Sequence, residues 1–311
     1  PVTMGNVYKY IQDVADTTYL RGAYLFQGSC LDESGYNVDP INQTHGHSQY
    51  SDFTDYDGLE YTQNTTVGHK FRGMYYGKVQ TGFGIGAILD NSSHHSFSGD
   101  FDVFAWITVP SSTDNGYYTI YAKTEATGFS ASSGNGIRIG FLKQSAGTKP
   151  YVHMDNASTN ISVNTSGYKD ASNGMCIRVQ RKGNTVSLWA ADGSSSVAFG
   201  TPDDTATVSG DFTVTKQAVI AANPSAFSGN NVTSTTDRCD DDSQLHSLRI
   251  YCGGILNSPD AENIYSVRPI PLLMKLAGSV WKIEENIDTK RIFVKGFGKV
   301  ITDTLVNTEI F

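Results

Sequence analysis

The chain has 311 residues, a net charge of −8 from 31 acidic against 23 basic side chains, and only 17% charged residues against 39% hydrophobic ones. That length can bury a substantial core in one large domain or a domain with extensions, and the composition excludes a disordered chain. The acidic balance excludes sequence-independent attraction to nucleic acid or anionic lipid, because phosphate binding needs clustered Lys and Arg, so no nucleic-acid partner is expected.

The first segment, Pro1 to Asn6, lacks the basic start and apolar core of a signal peptide. Proline at position 1 is what removal of an initiator Met leaves, so the expectation is a product of cytoplasmic synthesis; a leader removed before Pro1 is the alternative. Met4, Val7, Tyr8, Ile11 and Val14 recur at spacings of three and four and predict a short helix, so residues 1–20 read as an N-terminal helical arm.

From Arg21 to Arg268 the chain is a succession of short β-branched and aromatic runs separated by Gly, Asn, Asp and Ser clusters, the pattern of a sandwich or jelly roll. The strands predicted are Gly99 to Val109, Tyr117 to Lys123, Ile137 to Lys143, Met175 to Arg181, Thr185 to Ala190, Gln217 to Ala221 and Leu245 to Cys252. Between two of them, Arg181-Lys182-Gly183-Asn184 predicts a hairpin turn. A helix is predicted over Pro259 to Val267, with Ser258 as N-cap and Asp260 and Glu262 near its positive end.

No run reaches the ~20 apolar residues that span a bilayer. The most apolar stretch, Ile270 to Trp281, contains Pro271, Lys275 and Gly278, and no membrane insertion is expected. Beyond it, Ser279 to Glu284 and Arg291 to Lys295 alternate like strands around the turn-like Asn286-Ile287-Asp288-Thr289. Residues 271–311 therefore read as a C-terminal β extension, an attachment segment beside a domain over 21–270. No repeat of solenoid or propeller period is present.

Four segments resemble, in order and spacing, the laminin-G-like branch of the concanavalin A-like lectin/glucanase jelly rolls. They are Gly22 to Gly28 with the turn Asp32-Glu33-Ser34-Gly35, then Phe97 to Ile107 with its Phe101…Trp106 strand. Met175 to Gly193 follows, ending Ser187-Leu188-Trp189-Ala190-Ala191-Asp192-Gly193, and last Leu245 to Tyr251 with Ile255-Leu256-Asn257-Ser258-Pro259. The resemblance implies a mainly β fold, a two-sheet antiparallel jelly-roll sandwich, with a calcium ion often near one rim and a ligand surface made by loops or the concave face. Function does not follow from fold, since such domains include binding modules, adhesins, hydrolases and structural parts.

Hydrolases on this jelly roll resemble one another in a Glu-x-Asp-x-x-Glu strand whose carboxylates face the cleft. No such run occurs, and Glu284-Glu285-Asn286-Ile287-Asp288 reads as a polar turn in the extension, so no enzyme is expected. A Gly-x-Ser-x-Gly elbow is also missing. Aromatic side chains are the expected carriers of a sugar site, because Tyr and Trp offer flat apolar faces with a polar tip. Tyr117, Tyr118, Tyr151 and Tyr56 are the candidates, with Tyr50 and Tyr61 beside them; Trp106 and Trp189 alternate with core residues and read as structural.

The acidic run Asp240, Asp241 and Asp242, with Asp237, suits a hard cation such as calcium, and a solvated acidic loop is the alternative. His45 and His47, with His94 and His95, are either half of a metal site or loop histidines. Gly82-Phe83-Gly84-Ile85-Gly86 has no βαβ unit around it and reads as a bulged strand. Cys30, Cys176, Cys239 and Cys252 are too scattered for a disulfide scaffold, and reduced thiols are expected, a Cys239–Cys252 bridge being the alternative. Seven Asn-x-Ser/Thr sequons in a chain rich in those residues do not indicate glycosylation.

A lectin-like jelly roll with an arm at each end and no catalytic strand leads to the expectation of a virion surface protein: a tail, fibre or capsid-decorating component that attaches to host surface glycans. The partners expected are surface glycans, other structural proteins of the particle and further copies in a homo-oligomer, many weak sites adding to tight adhesion. The location expected is the virion surface. The alternatives are a secreted or cell-surface adhesin, a purely structural particle component and a glycan-active enzyme with an atypical site.

Overall fold

A computed structural model of the protein describes residues 14–24, 32–40, 59–64, 69–75, 87–110, 116–127, 135–156, 159–192, 198–221, 223–236, 243–267, 281–286 and 291–296. In chain order the strands are β1 (Leu20–Tyr24), β2 (Leu59–Asn64), β3 (His69–Tyr75), β4 (Ala87–Ile88), β5 (Phe101–Thr108), β6 (Gly116–Thr124) and β7 (Gly136–Gln144). They continue as β8 (Gly147–Asn156), β9 (Thr159–Asn164), β10 (Met175–Lys182), β11 (Thr185–Asp192), β12 (Asp204–Thr207) and β13 (Val219–Ile220). After β14 (Asn223–Ser228), β15 (Asn231–Thr236) and β16 (Gln244–Cys252) come helix α1 (Ser258–Val267) and the strands β17 (Trp281–Asn286) and β18 (Arg291–Gly296).

Two antiparallel sheets form the sandwich. The first runs β12-β11-β10-β5-β16-β3-β2, with β1 on the same edge of β16 as β3; the second runs β4-β13-β6-β7-β8-β9. The hairpins β14-β15 and β17-β18 are separate two-stranded sheets. The fold is thus mainly β, a two-sheet jelly-roll sandwich with one short described helix.

The core follows from the two-residue period of strands. On β5, Phe101, Val103, Ala105 and Ile107 face the second sheet, where Ile137, Ile139 and Phe141 of β7 and Val152 and Met154 of β8 meet them. Phe97 stands edge-on to Phe101 at 5.0 Å and against Tyr121 at 5.9 Å, joining the sheets at one end.

The alternate residues of the first sheet point away from this core and are buried as well. Phe104, Tyr251 and Leu256 pack with Ala261 and Ile264 of α1, while Trp106 stacks on Tyr265 at 5.4 Å. Among them, Arg178 forms a bidentate pair with Asp102 at 2.9 and 2.7 Å and lies 5.1 to 5.2 Å from the rings of Phe104, Trp189 and Phe199. Trp106 and Trp189 are structural, as their alternation with core residues predicts.

Local signals act as their chemistry requires. Asp32 of the Asp-x-Ser-Gly turn accepts hydrogen bonds from Ala23 N, Ser34 N, Ser34 Oγ and Val38 N at 2.7 to 3.1 Å, and Gly35 takes φ +89°. Gly183 begins the two-residue β10–β11 loop at φ +58°. The predicted C-terminal strands pair as a hairpin, Trp281 opposite Gly296 through Asn286 opposite Arg291.

Helix α1 occurs where predicted, but its cap is Asn257 rather than Ser258. Asn257 Oδ1 accepts from Asp260 N at 2.8 Å, and Asp260 Oδ2 accepts from Asn257 Nδ2 at 3.1 Å, a reciprocal capping arrangement set one residue earlier. The predicted N-terminal helix lies outside the described residues except for Val14, which is buried against the α1 cluster. No helix among the described residues is long and apolar enough to cross a membrane.

Candidate functional site

The outer face of the second sheet carries the polar and aromatic residues that its core-facing residues leave over. On β7 these positions are Arg138, Gly140 and Leu142; on β8, Tyr151, His153 and Asp155; on the edge strand β9, Asn160, Ser162 and Asn164. Register sets them in rows: Arg138 opposite His153, and His153 opposite Ser162; Gly140 opposite Tyr151, and Tyr151 opposite Asn164. A bulge between Thr119 and Tyr121 shifts β6 locally. Such bulges re-aim side chains, and the Thr119 hydroxyl here donates to Asn223 Oδ1 of β14 at 3.0 Å.

Three rings run along this face. Tyr117 meets Tyr151 nearly at right angles at 5.8 Å, and Tyr151 meets His153 at 4.5 Å. Tyr151 and Arg138 are buried, at 2% and 4% exposure, whereas Tyr117 is 47% exposed. Asn160 and Ser162 border the face as exposed residues and His153 is half-buried. The centre is therefore recessed and the open ring stands at its side. Burial, then the neighbouring Arg138 charge, pushes the His153 imidazole down to about 4, so it is neutral at ordinary pH.

This arrangement can hold a small polar ligand: an exposed ring for an apolar face, with a guanidinium, a neutral imidazole, hydroxyls and amides around it. Among its strand positions Asp155 is the single carboxylate, one short of the pair that glycosidic hydrolysis uses.

The structure brings Tyr117 and Tyr151 together and separates Tyr118 from them. Adjacent strand residues point to opposite faces, and Tyr118 packs in the core 5.2 Å from Phe141, so its face is closed to a ligand. Tyr56, Tyr50, and the acidic run Asp240, Asp241 and Asp242 with Asp237 lie outside the described residues, as do His45, His47, Cys30, Cys239 and Gly82 to Gly86. Tyr61 is on β2.

Among the described residues no three His, Cys, Asp or Glu side chains converge to hold a metal ion. His95 is a buried core residue bonded to Tyr121 Oη and the Arg21 carbonyl. Cys176 and Cys252 are buried free thiols.

Sequence reasoning missed Arg138 and His153 as part of this face. The signal for Arg138 was present: Ile137-Arg138-Ile139 puts a cation on the side of a strand opposite two core residues.

No protein-family model and no curated protein matches the sequence. Solved structures do match in fold. The binding domain of botulinum neurotoxin DC in complex with SialylT superposes with a TM-score of 0.52 at 12% identity, over 81% of this chain and 51% of that one. A structure described as a receptor binding domain gives 0.51 at 12% identity, over 83% and 53%. The chain thus spans about half the length of each. At this identity the likeness concerns the fold alone: the protein is a two-sheet jelly-roll β-sandwich.

Proposed function

We propose that the protein is a glycan-binding module, with the outer face of the second sheet receiving a sugar against Tyr117, and that it serves as a surface component of a virus particle. The observation that carries the binding reading is the Tyr117–Tyr151–His153 ladder beside Arg138: one ring open to solvent, its neighbours locked beneath it. An aromatic ring backed by buried neighbours loses little entropy when it takes up a sugar ring. The reading is of binding rather than turnover, since the face offers one carboxylate. The particle role draws on the β17-β18 hairpin, which among the described residues forms a two-stranded sheet of its own, as the attachment segment.

The test is a broad glycan array probed with the purified protein and with Tyr117→Ala. Selective binding to some glycans, weakened about ten-fold by Tyr117→Ala with the fold intact, is the expected result. A folded protein that binds nothing, or whose binding ignores Tyr117→Ala, overturns the assignment of this face.

A further inference from the structure

Lys123, near the end of β6, is only 1% exposed, and burial pushes its ammonium down to about 8. Burying an ammonium is costly unless every donor is used. Its Nζ donates to the carbonyls of Ser92 and His95, which bracket the 3-10 turn Ser92–His94. The same turn is held by Ser92 Oγ, which accepts from Ala218 N at 3.0 Å, and by His95, whose Nε2 lies 3.1 Å from the Arg21 carbonyl and Nδ1 3.0 Å from the Tyr121 hydroxyl. The carbonyl can only accept, so Nε2 donates and Nδ1 accepts from Tyr121.

This anchored turn presents an exposed aromatic corner. The His94 ring lies 5.0 Å from the ring of Tyr36 at 56°, and Tyr36 is 37% exposed. The Arg21 guanidinium sits 4.8 Å over Tyr36, itself fixed by donating to the carbonyls of Thr18 and Leu20 at 3.1 and 2.8 Å. Asn37 and Asn91, at φ 55° and 49°, adopt left-handed backbone beside the corner, and Asn91 Nδ2 donates to the Asn37 carbonyl at 3.4 Å. Asn tolerates this backbone, and the hydrogen bond between the two ties the loop that carries Tyr36 to the turn that carries His94.

We propose that the Tyr36–His94 corner is a second saccharide-binding subsite, taking one neutral pyranose with its apolar face on the rings and its hydroxyls toward Asn91 and Asp90. Arg21 over the Tyr36 ring and the exposed Asp90 next to Asn91 carry opposite charges, which suits an uncharged sugar better than an anion. Tyr117 lies near the start of β6 and Lys123 near its end, so about 20 Å of strand separates the two at 3.3 Å per residue. The inference stands independently of the outer-face assignment.

The test is saturation-transfer NMR with the methyl glycosides of glucose, mannose, galactose and N-acetylglucosamine, on the wild-type chain and on Tyr36→Ala, Tyr36→Phe and Tyr117→Ala. Transfer to at least one glycoside is expected, falling about five-fold in Tyr36→Ala and persisting in Tyr36→Phe, as loss of a stacking ring requires. Tyr36 is exposed, and an unchanged amide spectrum shows that Tyr36→Ala folds. No transfer to any glycoside, or transfer that Tyr36→Ala leaves intact, overturns the subsite. Transfer lost only in Tyr117→Ala overturns it while upholding the outer face.

Discussion

The Tyr151 ring lies flat across Gly140, its hydroxyl donating to the Tyr118 carbonyl at 3.3 Å. The space is there because residue 140 has no side chain: a Cβ would stand 2.0 Å from that carbonyl oxygen and 2.6 Å from Tyr151 Oη. Glycine is thus required at the centre of the face, and the ring covers the gap it leaves. Gly140→Ala is expected to destabilise the fold by about 2–3 kcal/mol, since the backbone oxygen cannot move aside, and to dislodge the ring that supports Tyr117. Urea unfolding reads the first effect and the Tyr151 ring resonances the second.

Arg178 and Asp102 form the buried ion pair on the far side of the first sheet. Asp102 also accepts from Gln180 Nε2 at 3.1 Å and Leu256 N at 3.2 Å, so removing the guanidinium strands a carboxylate that cannot be resolvated. Arg178→Met is expected to cost about 3–5 kcal/mol in denaturant unfolding. Adding Asp102→Leu should recover part of that loss but not all, because the Leu256 amide then lacks its acceptor.

Acid sensitivity follows from His95. Burial holds its imidazole down at about 3 in the folded protein against 6.5 ordinarily. Below pH 6.5 the unfolded chain takes a proton that the folded chain refuses, so stability falls as pH drops from 6.5 toward 3, with a slope approaching about 1.4 kcal/mol per pH unit from this group. His95→Gln should flatten that slope. Lys123 acts in the same direction at the other end: held at about 8 against 10.5, it makes stability rise as pH increases between those values. Lys123→Met should remove that rise. Thermal unfolding across pH 3.5 to 10.5 tests both.

Cys176 and Cys252 are buried, and burial pushes the Cys252 thiol up to about 12 and the Cys176 thiol higher still. Neither forms thiolate near neutrality. Peptide mapping after iodoacetamide treatment should find both unmodified in the native protein and both alkylated in denaturant.

Much of the architecture is legible in the chain, because strand alternation, turn glycines and caps are local chemistry. Phe101 to Ile107 alternates two buried faces, Gly183 marks a hairpin, and the C-terminal extension shows its two strands. Where a strand breaks the local rules it is lost: β8 carries Pro150 with polar Lys149, His153 and Asp155, and β9 is Asn- and Ser-rich, so neither reads as a strand although both build the candidate face.

The sequence by itself determined that the chain forms a two-sheet β-sandwich and that aromatic residues near 117 and 151 are worth watching. Only the tertiary structure decided which of them face outward together. Tyr117 and Tyr118 are chemically alike, and a single step along β6 sends one to solvent and the other into the core. Likewise Tyr36 and His94, 58 positions apart, meet only because a buried lysine and a buried histidine pin the turn that carries one of them. Pairing register and long-range burial set such meetings, and neither is written in local spacing.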